Sequence, residues 1–373
     1  MAAALGEIER QVLGEIWTSD EPYRNLVYLC DGIGHRFGGS ASEHAAAEFL
    51  QHKLREYGLE QARLEEFPVY SWERGECFFA LSAPVERSFS ALAMPYSGTA
   101  DLEGVIVDVG AGEAGDFTEA GEHLRGAIVL TDAETDVPGV ERSHRTDKYR
   151  RAVEGGAIAC VFTNRNPGML RITGALYARN PGGPSALDHT APIPALGISY
   201  EAGEMIRRLA AHGELRGRIR LRNRVFRSHA YNVVADVLGD GSARELILAG
   251  AHYDGHDIAQ GATDNAAGAV VALELARVLS PHAGRLPRTI RLLWFACEEL
   301  GLLGSWHHCD RYAQGGEQET VGFMLNLDGA GRGQGGNEQV TVTGNPDLAR
   351  YFSQLAEQLR YPFAVRDRIS PHS

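Results

Sequence analysis

From Ser40 to Tyr57 the apolar residues Ala45, Ala46, Phe49, Leu50 and Leu54 recur at helical spacing behind a Gly-Gly-Ser-Ala-Ser run suited to capping a first turn. An amphipathic helix packed on a sheet is expected there. A shorter one is expected over Met1–Thr18, where Glu7, Glu9, Arg10 and Glu15 alternate with apolar positions. Ala62–Tyr70 reads as an edge strand, because Pro68 removes a ladder donor. Between about Tyr96 and Phe226 the texture changes to short strands punctuated by Gly and Pro: Val105–Val109, Ala127–Thr131, Ala157–Thr163, Pro194–Ile198 and Arg216–Leu221. Helical stretches sit among them at Lys148–Glu154 and Tyr200–His212. After Ala230 strands and helices alternate. Strands are expected over Tyr231–Leu238, Glu245–Ala251, Thr289–Ala296 and Val321–Leu327, and helices over Ala266–Leu279 and after Gly304. Asn337–Gly344 and an Asp347–Arg360 helix continue the scheme.

Apolar runs separated by helices imply a mixed, mostly parallel sheet covered on both faces, an α/β three-layer αβα sandwich. The strand-rich middle is a separate small module. The expected division is a discontinuous domain of residues 1–92 and 227–373, with an insert domain at 93–226.

A length of 373 residues with 44% hydrophobic and 23% charged positions fits a globular protein of more than one domain. The formal charge of −13 argues against a nucleic-acid or anionic-membrane surface, which needs clustered Lys and Arg. Only Lys53 and Lys148 are lysines, which leaves little room for Schiff-base chemistry. Cys30, Cys77, Cys160, Cys297 and Cys309 are odd in number, lack CxxC spacing and suggest buried thiols rather than a disulfide framework. The first residues lack a basic head and apolar core, so a cytoplasmic location is expected, with secretion the alternative. No window of 18 uninterrupted apolar residues suggests a membrane span. Oligomeric state is open.

The chemistry-bearing residues gather in the last third. His252 and Asp254 lie two apart at a strand end, where they share a face; His252 can bind a metal while Asp254 orients its ring. Alone, this pair also suits a polar strand terminus. Asp264 stands where a helix N-cap would, and capping alone could justify it, although the small residues after it allow close approach to a metal crevice. Glu298 and Glu299 follow an apolar strand and should point opposite ways, so that one can ligate while the other serves as general base. Asp328 closes another strand. Together these placements read as a two-metal hydrolase site. His307 and His308, adjacent on a helix, read as surface histidines, and His35 as structural. No nucleophile elbow, P-loop or dinucleotide fingerprint is present.

The segments H-Y-D, T-D-N-A-A-G, F-A-C-E-E-L-G-L-L-G-S and N-L-D, with the amino-terminal G-H-R-F-G-G-S, resemble the co-catalytic di-zinc aminopeptidases of the bacterial leucyl type, relatives of glutamate carboxypeptidase and glutaminyl cyclase. The middle resembles the protease-associated domain inserted in many members. The resemblance implies two zinc ions, or other divalent metals, acting on peptide substrates. Asp264 would bridge the ions, His252 and Asp328 would bind one, Glu299 the other, and Glu298 would be the general base. It also implies that the Asp264–Asn265 peptide bond is often cis. Relatives complete the Glu299 metal with a histidine in S-D-H-x-x-F, whereas this sequence reaches Ser370-Pro371-His372-Ser373 on the first letter of that motif; His372 is not expected to substitute. The expectation is therefore a carboxyl end that is incomplete, and a chain whose activity as it stands is in doubt. T-D-N-A-A-G favours aminopeptidase activity; a carboxypeptidase of the same family and a non-catalytic binding protein on the peptidase scaffold are the alternatives.

Overall fold

A computed structural model describes residues 6–134, 143–176, 191–315, 320–330, 339–361 and 363–367. His372 lies outside them. The chain divides into two compact units, Met1–Val69 with His229–Ser373, and Tyr70–Ser228. Both boundaries fall within long strands, Arg63–Ala83 and Arg216–Val237.

In the first unit the strand Ile290–Phe295 pairs antiparallel with Val233–Val237 and parallel with Leu246–His252, which in turn pairs parallel with Val321–Asn326. Consecutive residues of Leu248–His252 are all buried, so both faces of that strand are covered. Adjacent side chains of one strand show what covers them. Trp294 donates its indole N–H to Ala269 O of the helix Ala267–Leu279, while its neighbour Phe295 meets the His308 ring of the helix Leu303–Gly315. Because strand side chains alternate, the two helices lie on opposite faces. This is the three-layer arrangement expected from the sequence.

The apolar stripe of the helix Ala41–Glu56 buries Ala46, Ala47, Leu50 and Leu54, and Ser40 caps it by accepting the Glu43 N–H. Two further parallel strands, Gln339–Val342 and Ala364–Asp367, form a separate ladder.

The second unit is built on four parallel strands, Ala100–Asp108, Ile128–Asp132, Ala159–Thr163 and Ala195–Ile198, flanked by the helices Arg145–Glu154 and Tyr200–Ala210. Arg216–Leu221 runs antiparallel beside the first of them. Among the described residues no helix is long and apolar enough to cross a membrane.

Candidate metal centre

Parallel neighbours end on the same edge, and the three strands around Leu246–His252 deliver the acidic residues there. His252 is the last residue of the central strand and is 3% exposed. Its Nε2 lies 3.1 Å from Asp264 Oδ1, 3.7 Å from Asp328 Oδ1 and 4.0 Å from Glu298 Oε2. Its Nδ1 faces Asp254 Oδ1 at 3.3 Å. One ligand atom from each of His252, Asp264 and Asp328 falls within 4.8 Å of the others. Two donors on one tetrahedral zinc stand roughly 3.3–3.6 Å apart, given metal–ligand bonds of about 2.0–2.2 Å. The two His252 separations bracket that span, so the donor set suits a divalent cation.

Glu299 lies apart from this trio. Its Oε2 meets His256 Nε2 at 2.9 Å. The two adjacent glutamates thus turn to different imidazoles. Their backbone is fixed by one side chain, the fully buried Asp254, whose Oδ1 accepts the Glu298 N–H at 3.0 Å and whose Oδ2 accepts the Glu299 N–H at 3.1 Å.

Asp264 is not a helix cap. It has extended backbone angles, φ −127° and ψ 93°, in a turn before Ala267–Leu279, which starts at Ala266 without a side-chain cap. Capping therefore does not account for the residue, and its carboxylate goes to His252 instead. The Asp264–Asn265 peptide bond is cis.

Sequence reasoning missed three residues that build this edge. Asn265 is fully buried and spends its whole amide on it: Nδ2 donates to His252 O and Leu327 O, while Oδ1 accepts from Gly268 N and Gly329 N. It ties the ends of two strands to the start of a helix. The approach is close enough that a Cβ at Gly268 would sit 2.1 Å from Leu327 O, so only glycine fits. Arg36, also fully buried, donates to the carbonyls of Tyr253, Gln260 and Gly261 and pins the loop between His252 and Asp264.

Glu43 accepts the backbone N–H of Gly39 and of Cys297, the latter in a left-handed turn at φ 53° that launches Glu298. Its carboxyl is pushed well above the ordinary range by burial and then by Asp254. A signal for Glu43 was present, since it falls in register with Ala46, Ala47 and Leu50 on the buried stripe, where a charge is out of place.

Burial, and then the negative charges of Asp254, Glu299 and Asp328, push Glu298 up to about 8 against the opposing effect of His252. For His252 burial works against the charged ring, but hydrogen bonds to Asp254, Asp264 and Asp328 outweigh it and raise the pKa well above 6.5. So many carboxylates around one buried imidazole are a surplus of negative charge that a divalent cation would offset.

The other helical histidines differ from expectation. His308 is buried, not on the surface, because Phe295 and Tyr312 pack on its ring and Glu65 Oε2 lies 3.5 Å from Nδ1. His307 stacks on Phe67 at 4.8 Å. Neither reaches the centre formed by His252, Asp264 and Asp328.

Residues 232–368 match the model of peptidase family M28, and residues 99–206 match the PA domain. Human carboxypeptidase Q is 26% identical over 77% of this chain and 60% of its own length. Leucine aminopeptidase 2 of Trichophyton equinum is 28% identical over 78% of this chain and 54% of its own. The chain thus spans little more than half of these curated relatives. Among solved structures, the aminopeptidase from Aneurinibacillus sp. strain AM-1 superimposes with a TM-score of 0.70 at 25% identity, covering 96% of this chain and 82% of that one. Residues 232–368 are thus similar to peptidase family M28, and residues 99–206, within the second unit, to the PA domain.

Proposed function

We propose that this protein is a zinc-dependent exopeptidase that removes amino-terminal residues from peptides. The observation that carries the reading is the convergence of His252, Asp264 and Asp328 with Glu298 beside the same imidazole. His252, Asp264 and Asp328 would hold one ion, and Glu299, sharing Asp264, a second. When bound, such ions polarise a scissile carbonyl and make water acidic enough to ionise near neutral pH.

The chain's own groups do the rest. Asp254 holds the His252 ring by its Nδ1 and keeps Nε2 directed at the carboxylates. Glu298, partly exposed and not tied to the Glu299 partner, is placed to take a proton from the attacking water and return it to the leaving amine.

The relatives named aminopeptidase support the amino-terminal reading; the similarity to carboxypeptidase Q favours a carboxypeptidase as the second. Zinc-loaded protein assayed on a leucyl anilide and on an amino-blocked dipeptide separates them. Release of the anilide with the blocked dipeptide left intact is expected. Cleavage of the blocked dipeptide alone would establish the carboxypeptidase, and metal binding without cleavage of either would establish a binding protein on this scaffold.

A further inference from the structure

We propose that Glu43, in the helix Ala41–Glu56, is a positioning residue for Glu298, its carboxyl group holding the turn at Cys297 from which Glu298 projects. The inference rests on the reading of Glu298 as general base. It adds a residue from outside 232–368, the segment similar to peptidase family M28.

Ser40 and Glu43 have the spacing of a capping box, in which the acid accepts the N–H of the capping serine itself. That N–H goes to Phe37 O instead, at 3.0 Å. The Glu43 carboxyl turns to other donors: Oε2 accepts the Gly39 N–H at 2.6 Å, and Oε1 accepts the Cys297 N–H at 3.0 Å from 254 residues away in sequence. The Cys297 thiol adds a weaker donor to Oε1 at 3.5 Å. Closing a helix cap therefore does not account for this fully buried acid.

Four successive N–H groups of the turn are each taken by a buried side chain. Asn232 Oδ1 accepts from Ala296, Glu43 from Cys297, and the two oxygens of Asp254 from Glu298 and Glu299. The carbonyls are closed by the residues that follow: Gly304 N donates to Ala296 O, Leu303 N to Cys297 O and Leu302 N to Glu298 O. Within this stretch Cys297 is the strained position, a residue with a side chain at φ 53°. It is also tightly enclosed, since a Cβ at Gly38 would stand 2.7 Å from Cys297 Sγ and 2.6 Å from Leu300 Cδ1.

Removing the Glu43 acceptor strands a buried N–H at the residue whose backbone most favours another conformation. The turn then relaxes and carries Glu298 with it. A displacement of about 1 Å at a reacting group can cost about 100-fold in rate.

The test is turnover of the leucyl anilide, or of the amino-blocked dipeptide if that is the substrate cleaved, at zinc saturation with metal content measured. Glu43→Met fills the space without offering an acceptor, and Glu43→Ala takes its place if that variant does not fold. Glu43→Gln keeps an oxygen that can accept the Cys297 N–H. The expected result is a fall in kcat of about 10–100-fold for Glu43→Met with KM little changed, and recovery of most of that loss in Glu43→Gln. Added to Glu298→Gln, Glu43→Met should cost nothing further, because a misplaced base and an absent one are equivalent. Leu50→Ala, on the same buried stripe, should lower the urea midpoint and keep kcat. The proposal is overturned if Glu43→Met turns over within a few-fold of wild type, if Glu43→Gln is no better than Glu43→Met, if the two losses multiply in the double variant, or if Leu50→Ala loses as much kcat. If Glu298→Gln itself keeps wild-type turnover, the general-base reading fails and this proposal with it. If Glu298→Gln is slow and Glu43→Met is not, only the role of Glu43 fails.

Discussion

Replacing Asp254 by asparagine keeps the shape of the side chain and removes the acceptor that joins both halves of the site. Oδ1 faces two donors, Glu298 N and His252 Nδ1, and Oδ2 faces one, Glu299 N. The amide should therefore keep its oxygen on the Oδ1 side and turn its NH2 toward the Glu299 N–H, setting donor against donor. A buried donor left without a partner costs about 1–3 kcal/mol, and the bond lost was to a carboxylate, at the stronger end of the range. Relief of repulsion offsets part of this, because Asp254 raises the pKa of both Glu43 and Glu298. A net destabilisation of about 1–3 kcal/mol is expected for metal-free Asp254→Asn, read as a lower urea midpoint at unchanged slope. Zinc affinity at the His252 position should fall about 10–100-fold, the usual effect of losing a carboxylate behind a ligating histidine. A variant that unfolds at the wild-type urea midpoint and binds zinc equally well would refute the argument that Asp254 organises the site.

Asn265→Leu, near in volume, strands four backbone groups at once and should cost about 3–5 kcal/mol in urea unfolding while weakening zinc binding; a loss below about 1 kcal/mol would show that the strand ends are held by other means. Glu65 gives a pH prediction away from the metal. Its burial alone would raise the pKa, but His308, Tyr312 and Arg63 outweigh that and hold it at about 2 against an ordinary 4.5. A depressed folded pKa contributes stability that is present above pH 4.5 and disappears as pH falls through 2, here about 3 kcal/mol. Glu65→Gln should therefore lose stability less steeply than wild type over that window in urea titrations, and parallel curves would contradict the assignment.

Much of this was legible in the sequence, and the physical reasons are specific. The helices Ala41–Glu56 and Ala267–Leu279 and the strands Leu246–His252 and Ile290–Phe295 lie within a residue or two of where the apolar pattern ends, because each buries a continuous face. Strand ends also announced His252 and Asp328, since parallel strands must open onto a common edge. Periodicity failed where tertiary packing decides. Nothing local shows that Phe295 and Tyr312 cover the His308 ring, or that the backbone at Asp264 stays extended and sends its carboxylate to His252 rather than to a helix terminus. Arg36 and Asn265 escaped notice for the same reason: most of their partners are backbone atoms from distant segments, and such partners leave no trace in residue type.

The central claim is that Glu298 carries a proton beside a metal-binding cluster. Measuring turnover of a leucyl anilide by zinc-loaded wild type and Glu298→Gln, at equal metal content, tests it most directly. The account predicts a fall in kcat of about 10²–10⁴-fold with zinc affinity and KM little changed. A fully loaded variant that turns over within a few-fold of wild type would contradict it.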